Sequence, residues 1–264
     1  MDLDRYELYE LCVQAPEELV RQLVAIHGGS PRVLGEDFCG AAAISARWTR
    51  CVDGGRAIAV DSDQDALARI PKHDAIEIVA GDVVGDTDAS RHAADVIWAG
   101  NFSIGEWHTR SCLLKYLRHA RARLGTGGPG GPGGVFACDL YGGESAFVTG
   151  SVDVEHRLPD GRVVVYTWEQ RSADPLTGRV CNAIHFEVRR DGTVEQTVRD
   201  AFTYDWRLWS VPELRDALAE AGFATTEIYP RTPDAVDGEG AVYVRPLDEV
   251  DDSFDVIIAA RAGS

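Results

Sequence analysis

The sequence predicts an α/β fold: a mostly parallel sheet with helices on both faces, carrying an inserted antiparallel β subdomain late in the chain. Three observations lead there. Short apolar runs alternate with helical patterns through the first half, as expected of strands in a sheet covered on both faces. From residue 152 to residue 209 the alternation stops and β segments follow one another. A capped helix and two more strands then close the chain.

The elements can be justified in order. Residues 16–27 read as a helix, because Leu19, Leu23 and Ile26 share one face, Pro16 starts it and Gly28-Gly29 ends it. A strand is expected at 32–34, a helix at 41–48, a second strand at 56–60 and a helix from near Asp63, a residue suited to an N-cap. Strands at 76–79 and 95–99 follow. A helix at 109–124 carries Leu113, Leu117, Ala120 and Leu124 at helical spacing. Residues 126–134 are a glycine- and proline-rich connection to a fifth strand at 135–138. The insertion offers β segments at 163–168, 180–188 and 195–208, with Arg190-Asp191-Gly192 as a hairpin signal. Ser210 and Glu213 form a capping box before Leu214, Ala217, Leu218 and Ala221, and Gly222 closes that helix. Final strands are expected at 225–229 and 254–260. The resulting organisation is a ligand-binding core with an N-terminal lid helix (1–143), a β-rich substrate-side insertion (144–209) and a closing helix with the last two strands (210–264).

Composition narrows the partners. Apolar residues make up 45% of the 264, enough for a packed core, and no apolar run is long enough for a signal peptide or a membrane span. The expected setting is therefore cytoplasmic. A net charge of −17, with Lys72 and Lys115 the only lysines, argues against nucleic acid or an anionic membrane as partner. It suits a small-molecule substrate, and a cationic one best; a homodimer is compatible with it. Cys12, Cys39, Cys51, Cys112, Cys138 and Cys181 show no C-x-x-C pair, so no metal is expected and the thiols read as buried and reduced.

The residues that could carry chemistry fall at strand ends. Glu36 or Asp37 follows the first strand, Asp61 the second, Asp82 the third and Asn101 the fourth. In a doubly wound sheet these ends open into one crevice, where ligands bind. A carboxylate after the second strand suits a ribose diol, and one at Asp82 suits an adenine amine. Ser62, Val83 and Phe102 adjoin them. For any single acid, a solvated loop or an N-cap is an equal reading; Asp63 is read as a cap.

Val33-Leu34-Gly35-Glu36-Asp37-Phe38-Cys39-Gly40-Ala41-Ala42, Ala59-Val60-Asp61 and Ala80-Gly81-Asp82-Val83 together resemble the nucleotide-binding half of class I S-adenosylmethionine-dependent methyltransferases. The likeness spans residues 30–140 and the closing helix and strands. It implies a Rossmann-like seven-stranded sheet with an antiparallel last strand. S-adenosyl-L-methionine is then the cofactor and S-adenosyl-L-homocysteine the product. Gly40 would let the methionine moiety approach the backbone, Asp61 would hold the ribose and Asp82 would lie by the adenine. Glu36 takes the family's acidic position and Asp37 is an extra carboxylate. The family's turn usually has three glycines, and here Phe38 and Ala42 occupy two of those places; Phe38 is an alternative cover for the cofactor. A nicotinamide dehydrogenase of similar fold is the rival, but it too wants the glycines, and Glu36 and Asp37 would repel a pyrophosphate.

Beyond that half, the chain resembles small-molecule methyltransferases with a β insertion after the fifth strand, including sugar N-methyltransferases. Residues 180–186 and 202–209 fall where such enzymes roof the acceptor pocket. Tyr141, Trp168 and Trp206 are expected to offer an aromatic wall to a cationic acceptor or the sulfonium. Arg207 either anchors a substrate carboxylate or pairs with Asp205 or Glu213. His185 is either a base or a satisfied histidine within an apolar strand, and Asn101 is the second catalytic candidate. Tyr9, with Tyr6, is either part of a lid over the cofactor or ordinary helix packing. The expected reaction is methyl transfer to a small molecule at nitrogen. O-methylation, the dehydrogenase, and a cofactor-binding protein without turnover are the alternatives.

Overall fold

The computed structural model describes residues 2–125, 133–233, 235–236 and 242–263; most of the expected glycine-rich connection, residues 126–132, lies outside the described residues. In chain order the elements begin α1 (Arg5–Val13), α2 (Pro16–His27), β1 (Val33–Asp37), α3 (Ala43–Cys51), β2 (Arg56–Asp61), α4 (Gln64–Leu67) and β3 (Ile76–Ala80). They continue β4 (Val96–Ala99), α5 (Arg110–Arg123), β5 (Val135–Gly143), β6 (Gly150–Arg157), β7 (Val163–Asp174), β8 (Arg179–Arg190) and β9 (Thr193–Arg207). Last come α6 (Val211–Glu220), β10 (Thr225–Pro230), the short pair β11 (Ala235–Val236) and β12 (Val242–Tyr243), and β13 (Ser253–Arg261). Two compact units result: residues up to Gln14 with Glu144–Leu208, and Ala15–Gly143 with the chain from Trp209 onward.

The larger unit is built on one seven-stranded sheet in the order β3-β2-β1-β4-β5-β13-β10. Its first five strands are parallel, and β13 runs antiparallel to both β5 and β10. Neighbouring strand residues feed opposite faces, because side chains alternate along a strand. Val96 and Ile257 join the core containing Leu23, Ile26, Leu34 and Trp48, whereas Ile97 and Ile258 join the one containing Leu117, Phe136 and Leu214. That double burial is why β1, β2, β4 and β5 read as apolar runs. The helices start where capping chemistry predicts: Asp63 caps α4, and Ser210 and Glu213 form the capping box of α6.

The smaller unit is an antiparallel sheet in the order β6-β7-β8-β9. The β8–β9 turn uses Asp191 (φ +48°) and Gly192 (φ +79°), the left-handed pair that a two-residue hairpin demands. Strand β6 is not among the segments expected from the sequence; it is solvent-exposed along almost its whole length, so no apolar run marks it. Helix α1, expected with the cofactor core, is built into this unit. Leu8 is fully buried among Val164, Ile184 and Phe186. The Leu3 N–H donates to the Gln196 side chain (3.1 Å), and the Gln196 amide donates back to the Leu3 carbonyl (2.6 Å). No helix among the described residues is long and apolar enough to cross a membrane. Cys39 and Cys138 are buried thiols, Cys12 and Cys181 are half-buried, and Cys51 and Cys112 are exposed.

Candidate functional site

The turn after β1 is the centre of the larger unit's candidate site. Pleating sends Glu36 and Asp37 to opposite sides of the sheet. Glu36 is buried and accepts hydrogen bonds from the Ser45 backbone N–H (2.7 Å) and hydroxyl (2.5 Å) in the first turn of α3. Loss of solvation outweighs those bonds and pushes its carboxyl pKa up to about 7. Asp37 was expected in the cofactor crevice beside it. Instead, its carboxylate is fully buried toward α5, where it accepts from Arg123 (2.9 and 3.0 Å) and the Tyr116 hydroxyl (3.0 Å).

Phe38, Gly40 and Ala42 all adopt left-handed backbone conformations, with φ of +59°, +54° and +56°. At Phe38 and Ala42, where the sequence resemblance leads one to expect glycines, the backbone keeps a left-handed path without them. That path costs about 1–2 kcal/mol at each non-glycine residue, so packing must hold it. The Phe38 ring packs edge-on against Trp107 (6.1 Å) and Tyr116 (6.0 Å), and Ala42 is fully buried against Ala59 and Leu67. The partly buried ring thus packs on the α5 side of the core. At Gly40 the situation is reversed. A β-carbon built there would find nothing within 4 Å, so a ligand can approach the main chain.

The other strand ends arrive beside this turn through the sheet register, which pairs Asp37 with both Val60 and Ala99, and Asp61 with Ala80. One Asp61 oxygen accepts the Gly40 N–H (2.7 Å) and the other the Asp63 N–H (2.8 Å). Each oxygen keeps a second lone pair for a ligand hydroxyl. Ser62 is exposed next to it. Asp82 is exposed and folds back on its own loop, accepting from the Val84 N–H (2.6 Å) and the Gly85 N–H (2.8 Å). The Val83 side chain is buried in the core, which leaves only its main chain for a ligand.

After β4, Asn101 and Phe102 are left-handed in succession (φ +55° and +60°), and both N–H groups point at one carboxylate, Asp139 (3.0 and 2.6 Å). Asp139 is fully buried and also paired with Arg231. It was not singled out from the sequence. The available signal was a lone charge inside the apolar run 135–140. Tyr141, one pleat further along β5, packs edge-on against Phe102 at 4.9 Å.

In the smaller unit the register divides the predicted acceptor residues. Trp168 pairs with Ile184 and Trp206 with Val180, which puts both tryptophans on one face of the sheet. His185 pairs with Thr167, and Arg207 with Arg179, on the opposite face. The four therefore do not share one surface. Trp168, Tyr204 and Trp206 stack together, with centroids 4.3 to 6.2 Å apart. His185 accepts the Asp200 N–H at Nδ1 (2.9 Å), and its Nε2 lies 3.0 Å from Glu169. Arg171 bridges Glu169 and Asp200, and Asp200 itself is left-handed (φ +49°) at the β8–β9 bulge. A ring with Nδ1 accepting and Nε2–H donating has no lone pair left for a substrate proton. Both ring nitrogens of His185 are thus engaged within its own sheet, with Glu169 and the Asp200 backbone. Asp205 pairs with Arg179. Tyr9 and Tyr6 pack edge-on against Phe202, at 5.0 and 5.6 Å, on the sheet of their own unit.

A sheet in this order, with one antiparallel strand and a ligand-accessible turn after β1, defines the class: the chain has the fold of class I S-adenosylmethionine-dependent methyltransferases. Among solved structures it is similar to a sugar N-methyltransferase from a Streptoalloteichus species, with 17% identity, TM-score 0.65, and coverage of 100% of this chain and 94% of that one. An amino pentose methyltransferase from Micromonospora echinaspora, solved with the cofactor bound, matches at 15% identity and TM-score 0.65 over 99% and 98% of the two chains. An S-adenosylmethionine-dependent methyltransferase from Clostridium acetobutylicum matches at 14% identity and TM-score 0.64 over 98% of each. No protein-family model matches the sequence, and a search of curated proteins returns no match.

Proposed function

We propose that the protein is an S-adenosylmethionine-dependent methyltransferase acting on a nitrogen of a small-molecule acceptor. The observation that carries this reading is the left-handed turn at Gly40, open to a ligand and hydrogen-bonded to the Asp61 carboxylate. Gly40 would admit the methionine moiety, Asp61 would accept the ribose hydroxyls, and the Asp82–Val83 loop would border the adenine. Glu36, whose pKa sits near neutrality, would complement the ligand's ammonium in its ionised form. Bound there, the cofactor supplies a methyl group on a sulfonium, an activated leaving group. The chain's own task is alignment and exclusion of water, and positioning of that kind can supply about 7–11 kcal/mol. The Asn101–Phe102 turn would border the cofactor, and the Asn101 side chain is assigned the orientation of the acceptor, since His185 is engaged in its own network.

The antiparallel β13 supports this reading over the dehydrogenase, because the dinucleotide fold orders its strands 3-2-1-4-5-6 without such a strand. Nitrogen is favoured by the acidic charge, which attracts amines, and by the sugar and glycopeptide N-methyltransferases among the matching structures. Calorimetry with S-adenosylmethionine, S-adenosylhomocysteine and NAD is the direct test. Binding of the first two but not the third is expected, followed by a methyl mass increment on amines in a panel of amines, phenols and carboxylates. Binding of NAD alone would refute the proposal.

A further inference from the structure

Asp139 carries an unusual load for a residue with no solvent exposure. Its carboxylate is fully buried, and a buried charge persists only where hydrogen bonds and a counter-charge compensate it. Here the compensation comes from the two consecutive N–H groups of Asn101 and Phe102, and from Arg231 just beyond β10. Two left-handed non-glycine residues in succession are sterically disfavoured, but that conformation makes their N–H groups converge on an anion. The register fixes the meeting, since Ala99 lies opposite Cys138 and the chain leaving β4 must pass Asp139. Gly100 adds to the constraint, because any β-carbon there would collide with the Trp98 indole.

We infer that Asp139 is a positioning residue: its carboxylate sets the Asn101–Phe102 turn at the crevice, and Arg231 holds that carboxylate in place. The inference rests on the methyltransferase reading for the meaning of the crevice, though not for the geometry of the turn. Asp139→Asn can accept from only one side-chain oxygen and cannot serve both N–H groups and Arg231. The full chain, its Asp139→Asn variant and its Arg231→Met variant are compared by hydrogen exchange at residues 100–104 and by calorimetry with S-adenosylhomocysteine. Asp139→Asn is expected to speed exchange at the Asn101 and Phe102 amides, with the β1 and β2 amides still protected. S-adenosylhomocysteine should bind about tenfold more weakly, the equivalent of one charge-assisted hydrogen bond. Arg231 is partly exposed, so Arg231→Met should fold even if Asp139→Asn does not, and should weaken binding about threefold, as loss of a partly exposed ion pair would. Unchanged affinity in the variants, or unchanged exchange at Asn101 and Phe102, would overturn the positioning role. Failure of the unaltered protein to bind S-adenosylhomocysteine would instead sink the cofactor reading, and the exchange data would still decide whether Asp139 holds the turn.

Discussion

Asp37 and Arg123 offer the sharpest test of how this core is built. Both side chains are fully buried, and Arg123 meets Asp37 through a single nitrogen, 2.9 and 3.0 Å from the two oxygens. The other two guanidinium nitrogens of Arg123 have no hydrogen-bond partner among the described residues. Asp37→Asn therefore strands a buried cation and weakens the acceptor of the Tyr116 hydroxyl. Removing one partner of a buried pair costs about 3–5 kcal/mol, against a total stability of about 5–15 kcal/mol for a typical domain. Urea denaturation followed by far-ultraviolet circular dichroism should show a midpoint lowered in proportion, at unchanged slope. The double variant Asp37→Leu with Arg123→Met should recover most of the loss, because a packed apolar pair avoids the desolvation of both charges. If Asp37→Asn costs less than about 1 kcal/mol, or if the double variant loses the sum of the single losses, the pair is not the buried, mutually dependent unit described here.

Other expectations concern the candidate site itself. Glu36 has a folded pKa raised to about 7 from the ordinary carboxylate value, so the folded state holds its proton more tightly. Its contribution is most favourable at acid pH and is lost as pH rises through 7, by up to about 3 kcal/mol. Glu36→Gln should flatten stability between about pH 5 and about pH 8, and equal slopes for the two proteins would refute the assignment. Asp61→Ala removes the acceptor of the Gly40 N–H and the proposed ribose ligand; calorimetry should show S-adenosylhomocysteine affinity falling by about tenfold or more. His185→Phe should destabilise the smaller unit by about 0.5–1.5 kcal/mol by removing the acceptor of the Asp200 N–H, while the turnover of any acceptor found stays within a few-fold. A drop of about 10²–10⁴ in turnover would restore it as a general base.

How far the sequence could be read depended on whether a signal was local. The parallel strands were legible because double burial writes an apolar run, and α6 because Ser210 and Glu213 write a capping box. Strand β6 was not, since an exposed edge strand leaves no apolar run. The site divides in the same way. Asp61 and Asn101 were legible as polar residues at strand ends. Asp37 was expected beside Glu36 because nothing in the dipeptide reveals what each carboxylate meets; the partner of Asp37 is an arginine 86 residues away in α5. Asp139 was missed because its partners, Asn101, Phe102 and Arg231, lie on two other segments of the chain. The candidate acceptor residues divide by parity: Trp206 and Arg207 are neighbours in the sequence and point opposite ways, whereas only the register shows Trp168 on the face of Trp206 and His185 on that of Arg207.

The turn at Phe38–Ala42 shows why a broken motif need not mean a broken site. A glycine pattern records where a left-handed backbone is cheapest, not where it is required. Phe38 and Ala42 each carry a steric penalty of about 1–2 kcal/mol, against which the partial burial of the Phe38 ring on Trp107 and Tyr116 and the full burial of Ala42 are set. Glycine survives only at position 40, where open space rather than packing meets the chain. A side chain at 38 or 42 can be repaid by the core behind it. One at 40 would meet no such packing, so the left-handed backbone there would go uncompensated, and under the proposed function it would also stand in the ligand's way.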